Sequence, residues 1–171
     1  AVPMTPRQIE GLIRLAEASA KSRLSEKIEL KDAELAISLF DYMLTTLAVD
    51  RGGKRVDVPA SDLPTEDPIK DIGEATARSY AKVLGDAKTV VINGPAGVYE
   101  ESQFLTGTKV IFESVANGKS FSVLGGGHTI SVVEELGLQG KFSHVSTAGK
   151  AMIDFIAGEK LPGIEILKKN A

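Results

Sequence analysis

A chain of 171 residues has the length of one domain, or of a small domain with a fragment attached. Its formal net charge of -3 argues against a general basic surface for nucleic acid, and the lack of cysteine excludes a disulfide framework or a thiolate metal site. The two histidines stand far apart, apolar runs such as 89–92 fall far short of the ~20 residues of a membrane span, and no basic-apolar-small signal opens the sequence. A soluble, cytoplasmic chain with no structural metal and no membrane partner is expected.

Thr5-Pro6-Arg7-Gln8 reads as a helix start: threonine caps, proline suits the first helical position, and glutamine three residues after threonine completes a capping box. The helix is expected to run to about Ser22, with Ile9, Leu12, Ile13, Ala16 and Ala20 on one face. A second helix fits 31–47. Its stripe is Ala33, Ile37, Phe40, Leu44 and Leu47, widened by Ala36, Leu39 and Met43. Joined by the link 23–30, the two make a helical hairpin that cannot bury both stripes alone and must dock on something.

Asp50-Arg51-Gly52-Gly53-Lys54-Arg55 is a turn-like polar stretch, and 56–59 reads as a short edge strand that Pro59 ends. Residues 59–68 hold three prolines and read as an extended surface connection. Helix and strand then alternate, with helices expected over 74–84, 107–117, 129–136 and 149–157 and strands over 89–92, 121–124 and 143–145. Apolar strands separated by helices signal βαβ units and a parallel sheet covered on both faces. The fold class expected is α/β, a partial Rossmann-like parallel sheet of three or four strands with the two-helix hairpin packed on it.

Two glycine-rich loops follow strands directly: Asn93-Gly94-Pro95-Ala96-Gly97-Val98-Tyr99-Glu100, and Gly125-Gly126-Gly127-His128-Thr129, which opens a helix. Ligands in open α/β sheets sit beyond the carboxyl ends of the strands, where both loops lie. Glycine lets backbone N–H groups approach an anion, and a helix N-terminus adds partial positive charge. A third candidate, Ser143-His144-Val145-Ser146-Thr147-Ala148-Gly149, again ends a strand and starts a helix. None is a P-loop or a dinucleotide fingerprint, so spacing alone leaves a ligand loop and a tight strand-to-helix turn both open.

These three motifs in this order, with Asp71-Ile72-Gly73 ahead of them and Leu161-Pro162-Gly163 behind, closely resemble the C-terminal part of phosphoglycerate kinase in its archaeal style. The resemblance covers roughly residue 49 to the C-terminus. It implies a Rossmann-like nucleotide domain in which 93–100 lies beside adenine and ribose, Glu100 bonds ribose hydroxyls, and 125–129 offers amides to the transferring phosphate. Mg-ATP or Mg-ADP is the implied ligand. Most of that family carries Asp, which helps hold the metal-nucleotide complex, where His128 stands; metal handling is therefore left open. Ala148 and Lys150 interrupt a segment that usually continues in glycines. Lys150 either contacts phosphate or is solvated. The family's N-terminal domain and the first half of its nucleotide domain are expected to be missing, and with them any full kinase activity.

The segment Pro3-Met4-Thr5-Pro6-Arg7-Gln8-Ile9-Glu10-Gly11-Leu12-Ile13-Arg14, with Arg23-Leu24-Ser25 and Asp32-Ala33-Glu34-Leu35 after it, looks like the C-terminal lid helices of archaeal minichromosome maintenance (AAA+) helicases. That resemblance implies that Arg7 is a phosphate sensor and that the chain is a chimera: a lid-like hairpin over 1–47 joined to a kinase-like nucleotide fragment over 48–171. Glu29 replaces the usual threonine cap of the second helix. Weak adenine-nucleotide or phosphate binding is the function expected. A structural chimera without ligand and a helicase-lid-like interaction module are the alternatives, and a homo-oligomer through an exposed sheet edge or the hairpin is the expected partner.

Overall fold

The computed structural model describes residues 6–43, 45–63 and 65–170, and their side chains apart from 6–10 and 40–43. It is an α/β structure with seven α-helices among the described residues and falls into two compact units, Ala1–Thr76 and Ala77–Ala171.

In the first unit, α1 (Pro6–Ser22) and α2 (Leu30–Met43) form the expected antiparallel hairpin. Small residues make the contact. Ala16, Ala20 and Ala36 are buried, whereas Ile13 and Ile37 of the expected stripes are about half exposed at 50% and 51%. Alanines let two short helices approach closely and leave the larger side chains outside. Between the helices sits the buried Asp32, which accepts from Arg23 Nε at 3.0 Å, Ser19 Oγ at 2.7 Å and the Glu29 backbone N–H at 2.9 Å, with a further bond from the Arg23 guanidinium. Asp32 thus satisfies the first orphan donor of α2 that Glu29 cannot cap with its own side chain. Thr5, Leu44 and the side chains of Arg7, Ile9, Phe40 and Met43 lie outside the described residues.

The second helix stops at Met43 and does not reach Leu47. Residues 46–51 form β1 (Thr46–Arg51), with Leu47, Ala48 and Val49 all buried. Tertiary bonding overrides helical periodicity here: Thr76 Oγ1 accepts from the N–H of Thr45 at 3.0 Å and of Thr46 at 2.8 Å, and β1 pairs on both sides. β2 (Lys54–Pro59) returns antiparallel across a two-residue turn, where Gly52 and Gly53 have φ of 62° and 81°. Positive φ at both positions is the primed turn that matches strand twist, and glycine adopts it without a Cβ penalty. The order β2-β1-β3, with β3 (Ile69–Ile72), makes β2 the edge strand expected from Pro59. β3 lies between the expected surface connection 59–68 and the helix expected from 74, in a span where no element was expected. Asp71 is buried and bonded by Arg55 Nη1 at 2.7 Å.

The second unit takes up most of α3 (Glu74–Asp86) and holds a parallel sheet of three strands, β4 (Thr89–Asn93), β5 (Phe121–Gly125) and β6 (His144–Ser146), in that spatial order. α4 (Thr106–Ala116) and α5 (Gly127–Glu135) supply its crossovers. Val90 and Leu124 of the sheet meet Phe112 and Val115 of α4, Val132 and Val133 of α5, and Phe142 in one core. The neighbouring strand residues do not bury equally. Val91 is 43% and Phe121 57% exposed, so the expected cover on both faces is not met here. Two helices follow, α6 (Lys150–Ile156) and α7 (Pro162–Lys169); proline at its start and Lys168 and Lys169 in its last turn are the signals that announce α7, which periodicity alone did not suggest.

Candidate functional site

Parallel pairing sets the three loops side by side. Asn93 stands opposite Gly125 and Gly125 opposite Ser146, so the chain leaves all three strands at one edge of the second unit. Beyond Gly125 the backbone must turn sharply into α5. Gly126 makes that turn with φ 95° and ψ 146°, a region that residues with a Cβ essentially avoid. A Cβ there would also stand 3.0 Å from Asn93 Oδ1, and one on Gly149 would lie 3.3 Å from Gly126 Cα. The loops are in close contact, and the glycines permit it. A Cβ on Gly125 would strike Met152 and the Ala148 carbonyl, which ties α6 to the same corner.

Helix geometry leaves the N–H groups of Gly127, His128 and Thr129 without intrahelical acceptors; the first bond inside α5 runs from Ile130 N to Gly126 O at 3.2 Å. No side chain caps this end. Space in front of Gly127 is open, with nothing within 4 Å of where its Cβ would be. Gly127 and His128 are exposed and Thr129 is buried, so the first two donors and the positive end of the helix dipole suit an anion.

The loop 93–100 is fastened to that helix turn at two points. Thr129, fully buried, accepts from Gly94 N at 2.7 Å and donates from the same hydroxyl to Gly125 O at 2.7 Å. At the loop's far end the Tyr99 hydroxyl and His128 Nδ1 hydrogen-bond at 2.9 Å, the rings meeting edge-on at 5.8 Å. Further support comes from Thr108 in α4, whose buried hydroxyl accepts from Ala96 N at 3.0 Å.

The structure therefore brings together Asn93, Gly94, Gly125, Gly126, Gly127, His128 and Thr129, with Pro95 and Gly97 carried on the fastened loop. Asn93 and Glu100 are exposed. Lys150 pairs with Asp154 at 2.6 Å along its own helix. Tyr99 and Thr108 are the members that sequence reasoning did not single out; the first lay within the quoted motif, whereas a threonine in the first turn of a helix carries no local sign of a partner twelve residues away. No group of three His, Asp or Glu side chains gathers among the described residues, and no helix among them is long and apolar enough to cross a membrane.

The phosphoglycerate kinase family profile matches residues 12–159. Phosphoglycerate kinase from Methanothermus fervidus is 40% identical over 147 residues, 86% of this chain and 34% of that protein. The enzyme from Methanococcus maripaludis is 55% identical over 103 residues, 60% of this chain and 25% of that protein. The crystal structure of phosphoglycerate kinase from Pyrococcus horikoshii superposes with a TM-score of 0.67 at 35% identity, covering 91% of this chain and 39% of that one. The chain thus spans about a third or less of the relatives' length by sequence. The profile begins inside α1, and its matched span takes in α2 and residue 47. Nothing in these matches points to a helicase lid. Matched over residues 12–159 and folded like its solved relative, the chain belongs to the phosphoglycerate kinase family.

Proposed function

We propose that this chain binds an adenine nucleotide, ATP or ADP accompanied by magnesium, or free phosphate, at the carboxyl ends of β4, β5 and β6, and that as a 171-residue chain it binds weakly and turns over no phosphoglycerate. The supporting observation is the uncapped, open first turn of α5 fastened to the loop 93–100. In this reading the amides of Gly127 and His128 take phosphate oxygens, the buried Thr129 holds the turn that presents them, Asn93 adds its carboxamide beside Gly126, and Glu100 bonds ribose hydroxyls on a loop shaped by Gly94, Pro95 and Gly97. The donors at this corner suit a phosphate. They do not suit a protein-held cation, because His128 Nδ1 is engaged by Tyr99 and no group of three His, Asp or Glu side chains gathers among the described residues, so magnesium arrives on the nucleotide's own phosphates.

Phosphoryl transfer depends on positioning and on cationic clamps around both substrates. The α5 turn supplies donors for one of them, and Lys150 is paired elsewhere. A ligand-free structural role and a helicase-lid module with Arg7 as sensor have no observation of their own behind them. Self-association is favoured as a companion property by the exposed Val91 of β4 and Phe121 of β5, with β4 at one edge of the sheet. A mass that stays monomeric with rising concentration in sedimentation removes it.

The test is the melting temperature with and without millimolar Mg-ADP, Mg-ATP and phosphate. Ligand at ~100 times its dissociation constant stabilises by about 2.7 kcal/mol, a rise of several degrees for this size. Gly127→Leu adds a side chain at a position where a Cβ has nothing within 4 Å, and is expected to abolish the rise while the chain still folds. No rise with any of the three overturns the reading. A coupled assay with ATP and 3-phosphoglycerate is expected to show no turnover.

A further inference from the structure

We propose, building on the nucleotide reading above, that Thr129 is a positioning residue whose buried hydroxyl registers the base-side loop 93–100 against the phosphate-side turn 125–129, so that one ligand can be held at both ends. The geometry is specific. The hydroxyl is a single atom with one proton and two lone pairs, and both functions are spent inside the chain: the proton on Gly125 O at 2.7 Å and a lone pair on Gly94 N–H at 2.7 Å. It is fully buried, so it is closed to ligand. Gly125 ends β5 and Gly94 follows β4, so this one side chain ties the exits of two neighbouring strands. The other fastening, Tyr99 to His128, is exposed at the loop tip and exchanges freely with water, whereas the Thr129 bonds are buried at Gly125 O and part-buried at Gly94 N, where solvent competes less. Loop 93–100 therefore takes its placement at the base from Thr129, and Thr108 at Ala96 N supports the next residues along.

Inorganic phosphate needs the α5 amides alone, whereas ADP spans both loops. Thr129→Val keeps the shape and removes the hydroxyl, leaving Gly94 N–H and Gly125 O without it. The expected result is a loss of about tenfold or more in Mg-ADP affinity, since one buried hydrogen-bond partner is removed, while inorganic phosphate affinity changes by no more than about twofold. Thr129→Ser, which retains the hydroxyl, is expected to restore the ratio. A valine variant that keeps the wild-type ratio of the two affinities overturns the inference. A wild-type chain that binds neither ligand overturns the nucleotide reading instead, and the registration is then judged without ligand by amide exchange: the Gly94 N–H is expected to be protected in wild type and in Thr129→Ser and to exchange about tenfold faster in Thr129→Val, with Ile130 N–H as internal reference. Equal Gly94 protection in the valine and serine variants overturns it, and should the valine variant not fold, loss of Gly94 protection in the serine variant does the same.

Discussion

At the scale of single residues, the three consecutive glycines 125–127 look interchangeable in sequence and are not. Gly127 is helical with open space beyond it, and Gly126 is held at φ 95° with Asn93 Oδ1 close by. Gly127→Ala is expected to stabilise the chain by up to about 1 kcal/mol, as alanine loses less backbone freedom than glycine in a helix. Gly126→Ala is expected to cost about 1–3 kcal/mol through backbone strain. Urea midpoints of the two variants check this, and a similar shift for both removes the assigned turn. The letters of the motif marked this corner correctly because glycine runs after a strand report backbone shape. They did not report that the Thr129 hydroxyl is consumed internally, because the partner at Gly94 comes from another strand's exit.

Among the elements, the helical hairpin depends on one carboxylate. Bonding by the Arg23 guanidinium, then by the Glu29 backbone N–H, holds the Asp32 carboxyl well below the usual carboxylate range. A folded value below the unfolded ~3.9 means that its contribution is whole well above that value and is lost as pH falls through and below it. The helical signal of the first unit is expected to weaken on acidification below about pH 4, and Asp32→Asn to lower stability at pH 7 and to flatten that acid dependence. Circular dichroism melts across pH 3 to 7 test it; an unchanged acid slope in the variant sinks the assignment. Sequence pattern found both helices because their apolar spacing is local. It ran α2 on into Leu47 because Leu44 and Leu47 continue the same spacing, and the competing signals, the β-branched Thr45-Thr46 and the Gly52-Gly53 turn, only decide the matter once Thr76 and two partner strands are in place. β3 was missed for the same reason: four residues between prolines and a helix form a strand only beside β1.

For the whole molecule, each compact unit carries its own buried cluster, and the two differ in size. Leu47, Val49 and Val58 make the cluster of the first unit; Val90, Phe112, Val115, Leu124, Val132, Val133 and Phe142 make that of the second. Burying an aliphatic or aromatic side chain contributes about 1.5–3 kcal/mol, so among the described residues seven such side chains against three place the greater apolar stabilisation in residues 77–171. The acid-sensitive Asp32 belongs to the smaller-cored unit, and every loop of the proposed ligand site to the larger. Calorimetry is therefore expected to resolve two transitions. The lower is assigned to the first unit and moves down as pH falls below about 4, while the upper moves up with Mg-ADP and is the one altered by Gly127→Leu. One transition that answers to both acid and nucleotide would mean that the two cores melt as a unit, and a nucleotide shift confined to the lower transition would place the ligand away from the α5 turn.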